Sequence, residues 1–131
     1  MNTFSKIIGM CIAIINISAV MASNAQEQLK VYSTETQQLP NSSRGEIWFS
    51  AKHGREWSCA SCHTRMPTRE GRHAATGKLI TPLAPTVNPT RFTNMQKTEK
   101  WFRRNCNDVL NRECTAAEKS DVLAWLLSLV P

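Results

Sequence analysis

Cys59-Ala60-Ser61-Cys62-His63 constrains this 131-residue chain more than any other stretch. Two cysteines at this spacing lie about one helical turn apart, and the histidine that follows is held beside them. Covalent attachment of a c-type haem uses this spacing: the two thiols meet the two vinyl groups, and the adjacent imidazole faces the iron. The expectation is one covalent haem c on Cys59 and Cys62, with His63 as an iron ligand. A thioredoxin-like redox pair needs a βαβ setting, of which the sequence has no sign. A zinc site would need further ligands, and Cys106 and Cys114, with seven residues between them, lack zinc-knuckle spacing. A structural disulfide leaves His63 unexplained. Trp57 just ahead of the string and the helical character of the chain agree with haem.

The length allows one domain with a marginal core, which a covalent cofactor or a disulfide would help. Residues 1–25 read as a cleaved secretory signal. Lys6 is their only charge, an apolar run follows from Ile7 to Val20, and small Ser23 and Ala25 stand where a peptidase reads. The run is short for a membrane span. Cys11 leaves with the signal, since Gly9-Met10 before it fits a lipobox poorly. Residues 26–131 are then a monohaem cytochrome domain in the periplasm. The whole chain has a formal charge of +6, and losing Lys6 leaves +5. Export and the scattering of the basic residues argue against a nucleic-acid partner. Neutralising haem propionates and steering toward an acidic redox partner account for the charge better. Cys59, Cys62, Cys106 and Cys114 remain after cleavage. An even number in an oxidising compartment should be fully used, which leaves Cys106 and Cys114 to bond to each other.

No strand alternation is evident, so the mature chain reads as all-α. Gln26 to Gln38 can form a short polar helix ending before Pro40, and Asn41 or Ser42 can cap a helix running to about Lys52. Pro82, Pro85 and Pro89 exclude helix and central strand between Thr81 and Arg91. That loop carries Leu83 and Val87, suited to lie against a haem face. A helix from about Thr98 to Asn111 sets Trp101, Phe102, Cys106, Val109 and Leu110 at helical spacing. The last begins at Thr115, which forms a capping box with Glu118. It is expected to bury Val122, Leu123, Leu126, Leu129 and Val130 on one stripe flanked by Trp125.

Function turns on the second axial ligand. A thioether raises the potential of an electron carrier. Met66 is chained too close to His63 to reach the other face, so Met95 is the methionine candidate. Asn105 is the other. With Trp101 as zero, Asn105 falls at about 40° around the helix, within the apolar stripe. A buried amide without a partner costs about 1–3 kcal/mol, so Asn105 should be hydrogen-bonded or bound to something. Spacing alone leaves Asn105 and Met95 even. His53 and His73 sit in polar stretches and are expected at the surface.

Much of the chain resembles the oxygen-binding, high-spin cytochromes c of the SHP (sphaeroides haem protein) family, over roughly Arg44 to Leu127. The resemblance rests on Gly77-Lys78, Pro82-Leu83-Ala84-Pro85, Pro89, Arg91-Phe92-Thr93, Glu99-Lys100-Trp101, Arg104-Asn105-Cys106-Asn107, Cys114-Thr115, Glu118-Lys119 and Leu123-Ala124-Trp125-Leu126. It implies a variant of the class I cytochrome c fold. It also implies that Asn105 ligates ferric iron and swings away on reduction, that Cys106 pairs with Cys114, and that the reduced haem binds oxygen or nitric oxide. The implied redox partners are a dihaem cytochrome c and a membrane cytochrome b. Residues 26–43 lie outside the match.

Overall fold

The computed structural model describes residues 24–131. The apolar run of the expected signal lies outside the described residues, and its boundary at residue 25 falls on the first residue of the first helix. Among the described residues no helix is long and apolar enough to cross a membrane.

Among the described residues five helices carry the fold: α1 (Ala25–Thr36), α2 (Ser42–Ser50), α3 (Cys59–His63), α4 (Met95–Leu110) and α5 (Ala116–Ser128). Local chemistry sets most of their ends. Asn24 accepts from the Glu27 amide at 2.9 Å while Glu27 returns a bond to the Asn24 amide at 3.1 Å, which closes a capping box on α1. Asn41 caps α2 by accepting from the Arg44 amide at 2.8 Å, and Thr115 with Glu118 boxes the start of α5. α4 begins three residues earlier than its expected start at Thr98, because Asn94 accepts from the Lys97 amide at 2.8 Å and so supplies a cap. It ends at Asn111, which turns the chain in the left-handed region.

Two short strands, β1 (Gly71–Arg72) and β2 (Leu79–Ile80), pair antiparallel, Gly71 with Ile80 and Arg72 with Leu79. They are a small addition to a fold that is otherwise helical, as expected. Each is two residues long, too short to show alternation. The hairpin packs on the attachment helix: a Cβ at Gly71 would run into the Cys62 carbonyl.

The main core is formed by α2 and α5. Phe49 meets Val122, Trp125 and Leu126, with Leu83 packed beside them. Asp121, buried on α5, accepts from the Asn41 amide at 2.8 Å and pairs with the Arg44 guanidinium, which clasps the start of α2 to α5. α1 lies on the other side of α5, where Ala25 and Tyr32 meet Leu123. The C-terminus departs from the expected stripe. α5 stops at Ser128, so Val130 is 76% exposed, whereas Trp125 is fully in the core.

α4 stands apart. Its backbone approaches the other helices sparsely, and side chains near its two ends secure it. Near the front, Glu99 accepts from the Tyr32 hydroxyl at 2.6 Å and from Lys119 at 2.8 Å. Near the back, Cys106 is joined by a disulfide to Cys114, with Cα atoms 5.6 Å apart. The space between α4 and the rest of the fold is the cavity described next.

Candidate haem site

α3 exists as a single ordered turn because the string supplies its own cap. The Ser58 amide donates to the Ser61 hydroxyl at 2.9 Å. The helix ends abruptly at Thr64, a β-branched residue at φ 63°, where strain of about 1–3 kcal/mol is expected. The Met66 amide supports this turn by donating to the Thr64 hydroxyl at 3.1 Å. The result fixes Cys59, Cys62 and His63 on one wall of a cavity of about 720 Å³. That volume lies within the roughly 300–1,000 Å³ of cofactor and ligand sites.

The other walls are largely aromatic and aliphatic: Trp48, Phe49, Leu83, Phe92 and Leu126. Leu83 is held in the wall because its amide donates to the Pro67 carbonyl at 2.9 Å, which pins the proline-rich loop. Val87, expected on the same surface, is absent from the lining.

Electrostatics fit a haem better than a bare metal. Burial pushes the Cys59 thiol up to about 12, and the neighbouring Cys62 adds to the rise. Cys59 is therefore a poor thiolate, unsuited to zinc or to redox exchange, whereas a thioether carries no charge to bury. Among the described residues no three His, Cys, Asp or Glu side chains gather into a metal nest. Burial, with the nearby Arg91 charge, lowers the His63 pKa to about 4. The imidazole is neutral over the physiological range, as a metal ligand must be. Two reduced cysteines and a neutral histidine on the wall of an apolar cavity of this size suit a covalently bound, flat, apolar macrocycle.

Asn105 and Met95, even by spacing, are placed differently by the fold. Asn105 lines the cavity from α4. Met95 does not line it. Its sulfur faces α1, 3.7 Å from the Tyr32 hydroxyl, among the side chains around Leu123. Met66, the other methionine among the described residues, is exposed. Trp101 also departs from a buried stripe: it reaches the cavity wall but is 44% exposed, with the Arg104 guanidinium 5.6 Å from its ring.

The two histidines expected at the surface are half-buried. His53 lies on Trp48 with ring centroids 4.6 Å apart and its Nε2 2.8 Å from the Trp48 carbonyl. His73 lines the cavity, and its Nδ1 accepts from the Ala75 and Thr76 amides, both at 3.3 Å. Sequence reasoning missed it because the turn that folds it inward is polar.

The family described as "Domain of unknown function (DUF1924)" matches residues 35–126. Cytochrome c″ of Methylophilus methylotrophus is 43% identical over 95 residues, which cover 70% of this chain and 66% of that protein. The cytochrome c-type protein SHP of Cereibacter sphaeroides is 54% identical over 69 residues, 53% of each chain. The matches thus span just under two thirds and about half of these curated relatives. The structure of oxidised SHP, described as an oxygen-binding cytochrome c, superposes with a TM-score of 0.77 at 38% identity. It covers 82% of this chain and 98% of that one.

Proposed function

This chain belongs to the DUF1924 family and to the SHP group of c-type cytochromes, with a cytochrome c fold and covalently attached haem c; from that premise we propose that it is a periplasmic, ligand-binding cytochrome whose sixth ligand is Asn105. In this reading Cys59 and Cys62 carry the haem and His63 is the constant axial ligand. The reduced protein binds oxygen, in line with the description of SHP as oxygen-binding, and by the same open iron face nitric oxide. Electrons arrive from protein partners, for which a dihaem cytochrome c and a membrane cytochrome b are the candidates.

The haem supplies a one-electron iron centre able to accept a small molecule. The protein decides when that face is open. Asn105 offers an amide oxygen, a hard and weak donor that suits ferric iron better than ferrous. It holds the ferric state and releases on reduction, when it stays close enough to donate a hydrogen bond to an incoming ligand. The observation that carries this reading is the presence of Asn105, and the absence of Met95, in the cavity lining.

Carbon monoxide binding by three proteins tests it. The ferrous wild type is expected to be high-spin and to bind rapidly, Asn105→Ala to open the ferric form to cyanide as well, and Met95→Ala to behave as the wild type. A low-spin ferrous wild type that binds carbon monoxide only after Met95→Ala would make the protein a simple electron shuttle.

A further inference from the structure

Among the described residues Arg91 presents a half-buried guanidinium to the cavity wall. Its Nε donates to the Pro82 carbonyl at 3.0 Å. Its Nη2 donates to the Thr81 carbonyl at 2.8 Å and the Thr81 hydroxyl at 3.0 Å. These bonds fix the direction of the fork yet bring no negative charge to it. The ion pairs among the described residues join Arg44 to Asp121, Arg103 to Glu113, Arg112 to Glu118 and Lys119 to Glu99; Arg91 is in none of them. A guanidinium taken partly out of water is costly unless an anion meets it. The cavity wall offers little else: its other formal charges are basic Lys78, Lys97 and Arg104, against Asp108 alone.

The missing anion therefore belongs to the cavity's occupant. We infer that Arg91 holds one haem carboxylate through Nη1, the nitrogen that the described hydrogen bonds leave without a partner, an assignment that rests on the haem reading above. Arginine suits this task, since its planar fork can bond the loop with one edge and a carboxylate with the other. The loop from Thr81 to Arg91 then both packs Leu83 against the macrocycle and carries the countercharge. Arg91 is a positioning and charge-compensating residue, and it favours the reduced state by keeping positive charge beside the haem.

The midpoint potential from pH 5 to 8, measured by spectroelectrochemistry, separates this role from a loop staple. Arg91→Gln should move the ferric–ferrous equilibrium at least tenfold toward ferric, which is 59 mV for a one-electron couple. Its midpoint should also gain pH dependence in this window, as the uncompensated carboxylate begins to titrate. Arg91→Lys, which keeps the charge, should retain most of the potential but shift the propionate bending band in the resonance Raman spectrum. Should Arg91→Gln fail to mature, that band in Arg91→Lys still decides. An unchanged band, or an Arg91→Gln protein that melts lower with the wild-type midpoint and pH profile, overturns the inference alone. A wild type without covalent haem overturns the proposed function as well.

Discussion

Gly45 on α2 lies so close to the Asp121 carbonyl on α5 that a Cβ at residue 45 would overlap the oxygen. The close approach lets Phe49, one turn on, reach Val122 and Trp125. Gly45→Ala would add about 1 kcal/mol of helix propensity but force the backbones apart, an overpacking that costs about 1–3 kcal/mol and occasionally more. Because the clash is with backbone atoms, which cannot swing aside, the cost falls at the top of that range. The expected result is a net loss of about 2 kcal/mol, read from guanidinium unfolding at fixed oxidation state. Unchanged stability would mean that the helices do not cross at Gly45.

Haem attachment predicts a simple chemical outcome. Acid–acetone extraction should leave the haem on the protein, and Cys59→Ala or Cys62→Ala should give little exported holoprotein. Clean extraction of haem from the wild type would contradict covalent attachment at these residues.

Trypsin should cut the unreduced protein so that peptide 105–112 remains linked to peptide 113–119 through Cys106 and Cys114. Closing a loop of this size stabilises by roughly 2–3 kcal/mol in the chain-entropy model. Cys106→Ser with Cys114→Ser should lower unfolding stability by about that amount. Two free thiols in the mass spectrum would refute the pairing.

Acid stability should depend on Glu118. Burial alone would raise its carboxyl, but bonds from Arg112 and from the Thr115 amide outweigh burial and hold it at about 2, against 4.5 in an open chain. The folded state is thus favoured above about pH 4.5 and loses that contribution as pH falls toward 2. In chemical unfolding, the advantage of the wild type over Glu118→Gln should be full near neutrality and shrink on acidification. A gap that stays constant down to low pH would show that the carboxylate charge contributes nothing.

Most of the legible features have causes within a few residues, although the Asn94 cap that starts α4 at Met95 is equally local and was passed over. The attachment turn, the boxed start of α5 and the capped start of α2 each depend on side chains three or four positions away. Contacts across long separations left no periodic trace. Tyr32 and Glu99 meet 67 residues apart, and neither position announces a partner in its neighbourhood. His73 read as a surface residue of a polar stretch, and Arg91 only as the end of the proline-rich loop and part of a resemblance motif, because only the folded loops turn them toward the cavity. Asn105 was legible as an amide within the apolar stripe but tied with Met95; the fold leaves Asn105 half-buried on the cavity wall and gives Met95 to α1.

The disulfide from Cys106 to Cys114 also has a kinetic consequence. Asn105 is the immediate neighbour of an anchored residue, and the polar contact of Glu99 with Tyr32 and Lys119 restrains the same helix from its other end. A displacement of α4 would have to strain both attachments, whereas rotation about the side-chain bonds of Asn105 strains neither. Under the proposed function, release of the amide would then need only a rotamer change, on the picosecond-to-nanosecond scale of such flips when unhindered, rather than a slower collective motion of the fold. Entry of a small molecule after reduction would be governed by diffusion into the cavity, with no slow gate to wait for.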